Sequence, residues 1–435
     1  MQTEINEEIK ENEVNFSSIL PILVLTVGAY LLYKLNFFFI LHPIESLRDF
    51  LAASRTPESR RALFLALAGT LGVGNIFGVA AGIIYGGAGS VFWLAVSSVF
   101  AAVLKYSECV ISFDSLSECG GGMHLVLKKS FPLIGKSLAV IYAASCVLLA
   151  LFMGGAMQSG AVSGAFVAVS DKSALLPSVI FAILVFLGAL NSGRRVDRIT
   201  EKVIPLTMLV YILLCLTVIF ANFDSLNSVL SRVISDALHP RSAVYGACTF
   251  LFSKQFSEGF ARGILSNEAG CGTSSLAHTR AGERSPYIAG LSGICEVFFD
   301  TSVLCILTAV AILSSGVDCS SYSSPMLLIS DTIGAVFGEA SRVLLLFSVF
   351  AFAYSTVVCW FYYGSVCSSY LLPSLGTRVF APLFFTFLVF GSSIPSRNLI
   401  EITDVLLLIL SLLTLSAVIR KRDRIKSLTL SKNGS

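Results

Sequence analysis

Charge is what this sequence has least of. Asp, Glu, Lys and Arg make up 13% of its 435 residues and hydrophobic residues 55%, against about 25% charged in an ordinary soluble chain. A soluble domain could not cover that much apolar surface, and the mean hydropathy of +0.82 predicts an all-α polytopic membrane protein embedded in a lipid bilayer. The net charge of +3 is too small to indicate a nucleic-acid partner. Only 4 histidines are present, and no metal-spaced ligands or nucleophile elbow accompany them, so a membrane metalloenzyme has little to work with. Glu268 with His278 is the one acid/base combination an enzyme reading could use. No Cys-x-x-Cys pair occurs among the 11 cysteines, and Cys146, Cys215, Cys248, Cys305 and Cys359 lie on apolar runs, which suits small buried hydrophobes with free thiols. A basic leader is missing too: the first 16 residues hold five glutamates and one lysine, so the first apolar span is expected to stay in the mature chain. No loop is long enough for a soluble core; the longest, 112–136, 222–241 and 315–340, have room only for amphipathic or re-entrant pieces.

What is present is a succession of apolar runs bounded by turn residues and charges. Eleven qualify as spans: A 17–41, B 61–85, C 89–111, D 137–160, E 174–191, F 203–221, G 242–264, H 286–314, I 341–371, J 377–394 and K 400–420. Most approach the roughly 20 residues a bilayer requires. An odd number puts the termini on opposite sides. With the N-terminus outside, 20 of the 30 lysines and arginines fall in inner loops, 6 in outer ones and 4 within spans, the bias the positive-inside rule demands. The expectation is a multi-pass plasma (inner) membrane protein: residues 1–16 an extracytoplasmic tail, 17–420 one transmembrane domain, 421–435 a basic cytoplasmic tail. Pro240 and Pro286 suit helix entries, and Asn222 to Leu238 reads as a short helix on the outer face.

Span B should not stay helical. Gly69-Thr70-Leu71-Gly72-Val73-Gly74-Asn75 places three glycines within six residues, each costing about 0.8–1 kcal/mol of helix stability relative to Ala. Non-helical backbone at membrane depth survives only where protein or an aqueous cavity covers it. Two half-helices meeting there would expose amide donors at one end and carbonyl acceptors at the other, so a carboxylate and a cation can sit side by side. An inverted repeat, B–F against G–K with A extra, would place a second break in span G; its weak spot is Tyr245-Gly246-Ala247-Cys248-Thr249. Ser266-Asn267-Glu268-Ala269-Gly270-Cys271-Gly272 reads as a tight inner loop at that span's cytoplasmic end, with Asn267 and Glu268 as gating residues.

Several segments together resemble the alanine or glycine:cation symporter family. They are Gly69 through Ala80 with Gly86-Gly87-Ala88-Gly89 and Trp93; Gly193-Arg194-Arg195 with Glu201 through Pro205; Ala261 through Gly272 with Ala277-His278; Glu296 through Thr301; and Ser355-Thr356 with Trp360 through Gly364. The likeness covers about residues 60–370 in order. Departures at Leu94-Ala95, Gly121 through His124 and Ser365 bear on substrate and gating more than on fold. The resemblance implies a leucine-transporter-type 5+5 inverted repeat of about 11 helices. It further implies that the amides of Val73 and Gly74 bind an amino acid's carboxylate, with Asn75, Gln158, Thr249 and Trp360 as further substrate contacts. It implies a coupling ion, Na+ or else H+, caged by the carbonyls of Ala68 and Leu71 and the hydroxyls of Ser355 and Thr356, and no other cofactor.

Plainer readings stand beside each of these. Gly74 and Gly78 fit a small-residue helix crossing, and Gln158 an interhelical hydrogen bond. Ser355 and Thr356 could bond back to their own helix, and Trp360 could be an ordinary packing residue. Lys254 and Glu258 read as an i,i+4 pair, while Glu296 and Asp300, at the same spacing, receive structural or gating roles. The function expected is symport of a small neutral amino acid, alanine or glycine, with a cation. A channel, a sensor on the same scaffold and H+-coupled transport of another solute are the alternatives.

Overall fold

The computed structural model describes residues 18–53, 64, 67–116, 121–170, 174–190, 192–238, 253–281 and 285–430. Among them every regular element is helical. In chain order these are α1 (Ile19–Lys34), α2 (Pro43–Ala53), α3 (Val79–Gly86), α4 (Gly89–Asp114), α5 (Met123–Ser130), α6 (Gly135–Ser170), α7 (Leu175–Leu190), α8 (Ser192–Ala221) and α9 (Leu226–Ala237). They continue as α10 (Lys254–Asn267), α11 (Ser274–Ala281), α12 (Pro286–Ser314), α13 (Pro325–Phe337), α14 (Glu339–Leu371), α15 (Gly376–Phe390), α16 (Ser396–Arg420) and α17 (Arg422–Leu430). Seven segments among the described residues are long and apolar enough to cross a membrane. They coincide with spans C, D, F, H, I, J and K. Spans A and E appear as shorter apolar helices, Ile19–Lys34 and Leu175–Gly188.

Span A ends sooner than expected. Asn36 and Phe37 have φ of 56° and 51°, left-handed backbone that a helix cannot continue through, so α1 stops at Lys34 and the chain turns into α2. In the loop 315–340, α13 is an apolar helix rather than an amphipathic one. The segment expected on the outer face does form α9, and it lies against the start of α4, where a Cβ on Gly89 would come within 2.6 Å of the Ala237 amide nitrogen.

The core is organised around α4, which packs against α1, α10 and α12, while α14 packs against α6, α8 and α15. Gly259 and Gly263, one turn apart on α10, lie so close to Ser90 and Ser97 that any side chain there would overlap them. This is a small-residue crossing, made by α10 instead of by Gly74 and Gly78 of span B.

Among the described residues two chain segments are interrupted. Residues 67–70 are helical, 71–73 are not, and Gly74–Gly78 form a π-helical turn leading into α3. The second interruption lies at residues 268–273, between α10 and α11, where Glu268, Gly270 and Gly272 have φ of 54°, 83° and 76°. This corrects the reading of residues 266–272 as an inner loop at the end of span G: Ser266 and Asn267 close α10, and 268–272 lie in the break. The weak spot 245–249, Thr249 included, lies outside the described residues. The breaks are neighbours. Cβ atoms on Gly74 and Gly86 would lie 3.5 Å from Ser266 Cα and 2.8 Å from Glu258 Cβ, so α3 and α10 run antiparallel with their interruptions at one depth.

Candidate functional site

The first interruption leaves backbone groups for others to take. The Gly72 amide turns to the Thr70 carbonyl (2.6 Å) instead of continuing the helix. The Ala68 carbonyl then accepts from Thr356 Oγ1 of α14 at 3.1 Å, and the Val73 amide donates to Gln158 Oε1 of α6 at 3.2 Å. Three elements thus converge on Gly72, where a Cβ would lie 2.8 Å from Thr356 Oγ1 and 3.2 Å from Gln158 Oε1. Only glycine leaves room for both.

Trp360, one turn beyond Thr356 on α14, is fully buried against Gly154 of α6, where any side chain would overlap the indole. Gly154 precedes Gln158 by one turn within a π-helical stretch, Ala150–Met157. A third such stretch, Phe298–Cys305 of α12, carries Asp300. Each π stretch inserts an extra residue into the turn and re-aims the side chains after it; the first two adjoin this meeting point and the third meets Asn75. Hydrophobic periodicity carries no signal of them.

Asn75 reaches away from this cluster to α12. Its Nδ2 donates to Asp300 Oδ1 (2.6 Å) and to the Asp300 carbonyl (3.0 Å), and its Oδ1 is buried without a partner. Asp300 Oδ2 accepts from Ser266 Oγ (2.6 Å) and Thr301 Oγ1 (2.8 Å), and Asn267 Nδ2 donates to Thr301 Oγ1 (2.9 Å). The two breaks are therefore joined by an unbroken run of side-chain hydrogen bonds through Asp300.

Of the expected cation ligands, Ala68 and Thr356 meet, and Leu71 is buried beside them in the break. Ser355 bonds back to Ala351 and Phe352 of its own helix (3.2 and 2.9 Å). Glu258 pairs with Arg262 (Nε–Oε2 3.4 Å) and not with Lys254, because Arg262 is held between it and Asp404 of α16 (Nη2–Oδ2 2.5 Å). Glu296 and Asp300 each bond to other helices rather than to one another. Asn267, the last residue of α10, and Glu268, the first of the second break, are buried. The side chain of His278 lies outside the described residues. Sequence reasoning passed over Lys105, which is fully buried on α4 and donates to the Asn267 carbonyl at 2.6 Å. A lysine amid an apolar run was the signal that could have found it.

Residues 2–428 match the model of the sodium:alanine symporter family. The chain is 29% identical to a sodium/alanine symporter of Methanococcus maripaludis, over 80% of this chain and 78% of that protein. It is 26% identical to an uncharacterized transporter of Haemophilus influenzae (88% and 87%) and 26% identical to a probable sodium/glutamine symporter of Bacillus subtilis (83% and 76%). Among solved structures, MhsT in complex with L-phenylalanine superposes with a TM-score of 0.60 at 11% identity, covering 82% of this chain and 87% of that one. That likeness is one of fold, the leucine-transporter type.

Proposed function

Because the chain belongs to the sodium:alanine symporter family of multi-pass transporters, we propose that it imports a small neutral amino acid, alanine or glycine, together with Na+ by alternating access. The observation that carries this is the convergence on Gly72. There the loosened main chain of span B offers the Val73 amide to α6 and the Ala68 carbonyl to α14, both buried. In this reading the Val73 and Gly74 amides, at the start of a half-helix and its positive dipole end, take the carboxylate. Gln158, whose amide can serve both donor and acceptor, yields its bond to Val73 and turns to the solute. Trp360 walls the pocket, and Asn75 orders its floor. The carbonyls of Ala68 and Leu71 with Thr356 and, after rotating away from its own helix, Ser355 supply an all-oxygen cage for a hard monovalent cation. Thr249 keeps its place as a proposed substrate contact on the sequence resemblance alone. Asn267 and Glu268, at the second break, take the part of gating residues.

The N-terminus is placed outside and the C-terminus in the cytoplasm, on the charge bias of the loops. Every described residue of the site is buried, so the solute must enter and leave through movement of helices, as alternating access requires. Uptake of labelled alanine and glycine into proteoliposomes under an imposed Na+ gradient tests the reading. Accumulation that collapses when the gradient is dissipated is expected; no accumulation of either solute under any cation gradient would reject it.

A further inference from the structure

The second break is wired differently from the first. Its backbone ends are met by charges of the protein itself: the Lys105 ammonium sits on the Asn267 carbonyl, where the outgoing α10 presents its negative dipole end. Glu108 Oε2 accepts from the Gly272 amide at 2.9 Å, just before α11 starts. Lys105 is shared further between Glu296 Oε1 (3.1 Å) and Glu108 Oε1 (3.8 Å), and Ser274 Oγ of α11 donates to the same Glu296 oxygen at 3.0 Å. One ammonium therefore serves two carboxylates directly, all of them with side chains that are 0% exposed.

Glu268 is a third carboxyl in this cluster. It is the left-handed cap of α10, 1% exposed, and its Oε2 accepts from Thr273 Oγ1 at 2.6 Å. Its Oε1 is buried and has no partner. The groups facing it are Lys105 of α4, Glu296 and Asp300 of α12, Cys271 of its own segment, Cys146 of α6 and Tyr363 of α14; Glu108 adjoins through Lys105. Lys105 is the one basic group among them, and it is engaged elsewhere. Glu268 Oε1 is therefore a buried oxygen that no donor meets, with Lys105, the cation of the cluster, bonded to Asn267, Glu296 and Glu108.

We propose that Glu268 is a proton-binding site of the transport cycle, separate from the cation cage at span B. The proton adds to Oε1, forming one O–H bond with a proton drawn from water on the side to which the second break opens, and it is released to water when the break opens to the other side. This deepens the gating role given to Glu268 and rests on the transporter reading above. An ionisable group buried at membrane depth is by default a candidate for such work, and the position adds the coupling. Glu268 lies at the hinge between α10 and α11, so its charge state bears on whether the ends of the break stay held by Lys105 and Glu108.

The test uses the full-length protein in lipid. Infrared difference spectra between acid and alkaline buffer, without solute, should show a protonated-carboxyl band that Glu268→Gln removes. Thr273→Val, which takes away the donor that favours the ionised form, should move the midpoint of that band to higher pH, by about one unit if the hydrogen bond is worth about a tenfold change in proton affinity. Alanine exchange in proteoliposomes should fall as pH rises in the wild type and lose that dependence in Glu268→Gln, while Glu401→Gln, an exposed change, keeps it. A wild-type spectrum whose carboxyl band survives Glu268→Gln, or a midpoint that Thr273→Val leaves in place, overturns the proposal. Because the infrared measurement needs no solute, its failure is distinct from a failure to transport alanine. Should Glu268→Gln not fold, the midpoint shift in Thr273→Val decides.

Discussion

A methyl group at Gly72 is a small change with a large expected consequence for the site. Its Cβ would crowd Thr356 Oγ1 at 2.8 Å, and overpacking of this kind costs about 1–3 kcal/mol. To the extent that this strain falls on the solute-bound state, Gly72→Ala weakens solute binding, by up to roughly 5- to 150-fold, measured by isothermal titration of alanine into the purified protein. Thr356 and Ser355 separate in the same way. Thr356 already reaches across to Ala68, whereas Ser355 is bonded to its own helix. Thr356→Val should raise the Na+ concentration for half-maximal uptake by about tenfold, in line with a hydrogen bond of about 1 kcal/mol or somewhat more, and Ser355→Ala should raise it less. Equal shifts in the two variants would remove the asymmetry. The glycines of span B stand out from the sequence because helix-breaking residues are conspicuous in an apolar run, whereas Gln158 and Thr356 are marked as site residues by the family resemblance. That Asn75 would turn to Asp300 could not be read from the sequence, since Asp300 is 225 residues away.

The elements most exposed to mutation are the ones held by buried charge. Lys105 ties α4 to the end of α10 and to Glu296 of α12; Lys105→Met leaves buried carboxylates without their cation, a loss of about 3–5 kcal/mol by analogy with broken buried pairs. Thermal unfolding in detergent should show it plainly. Arg424→Ala, which removes a pair between an exposed arginine of α17 and the half-buried Asp114 of α4, should cost about 1 kcal/mol or less. If both variants unfold alike, the burial argument is wrong. The π-helical stretches escaped the sequence reading for a related reason. One extra residue in a turn leaves the apolar composition unchanged, and what selects it is the fit of Gly154 to Trp360 and of Asp300 to Asn75.

At the scale of the whole molecule the expectation is a sidedness that labelling can read. Ser228 lies exposed on α9, next to the start of α4, and Ser427 exposed on α17, which packs with α1, α4 and α12 beyond the last long helix. Ser228→Cys should react with a membrane-impermeant maleimide only from outside, and Ser427→Cys only from inside; the reverse pattern would invert the topology. Sequence alone settled that this chain lives in a membrane, where most of its long helices run and that the stretch around Gly72 cannot remain helical. Those depend on composition and local propensity, which every residue carries with it. The second break was decided by tertiary structure: Glu268 adopts left-handed backbone with Lys105 and Glu108 waiting at the two ends. Read locally, Ser266 through Gly272 suits a surface turn as well as a buried interruption. Only the long-range partners on α4 and α12 supply the charges that let the main chain come apart in the middle of the protein.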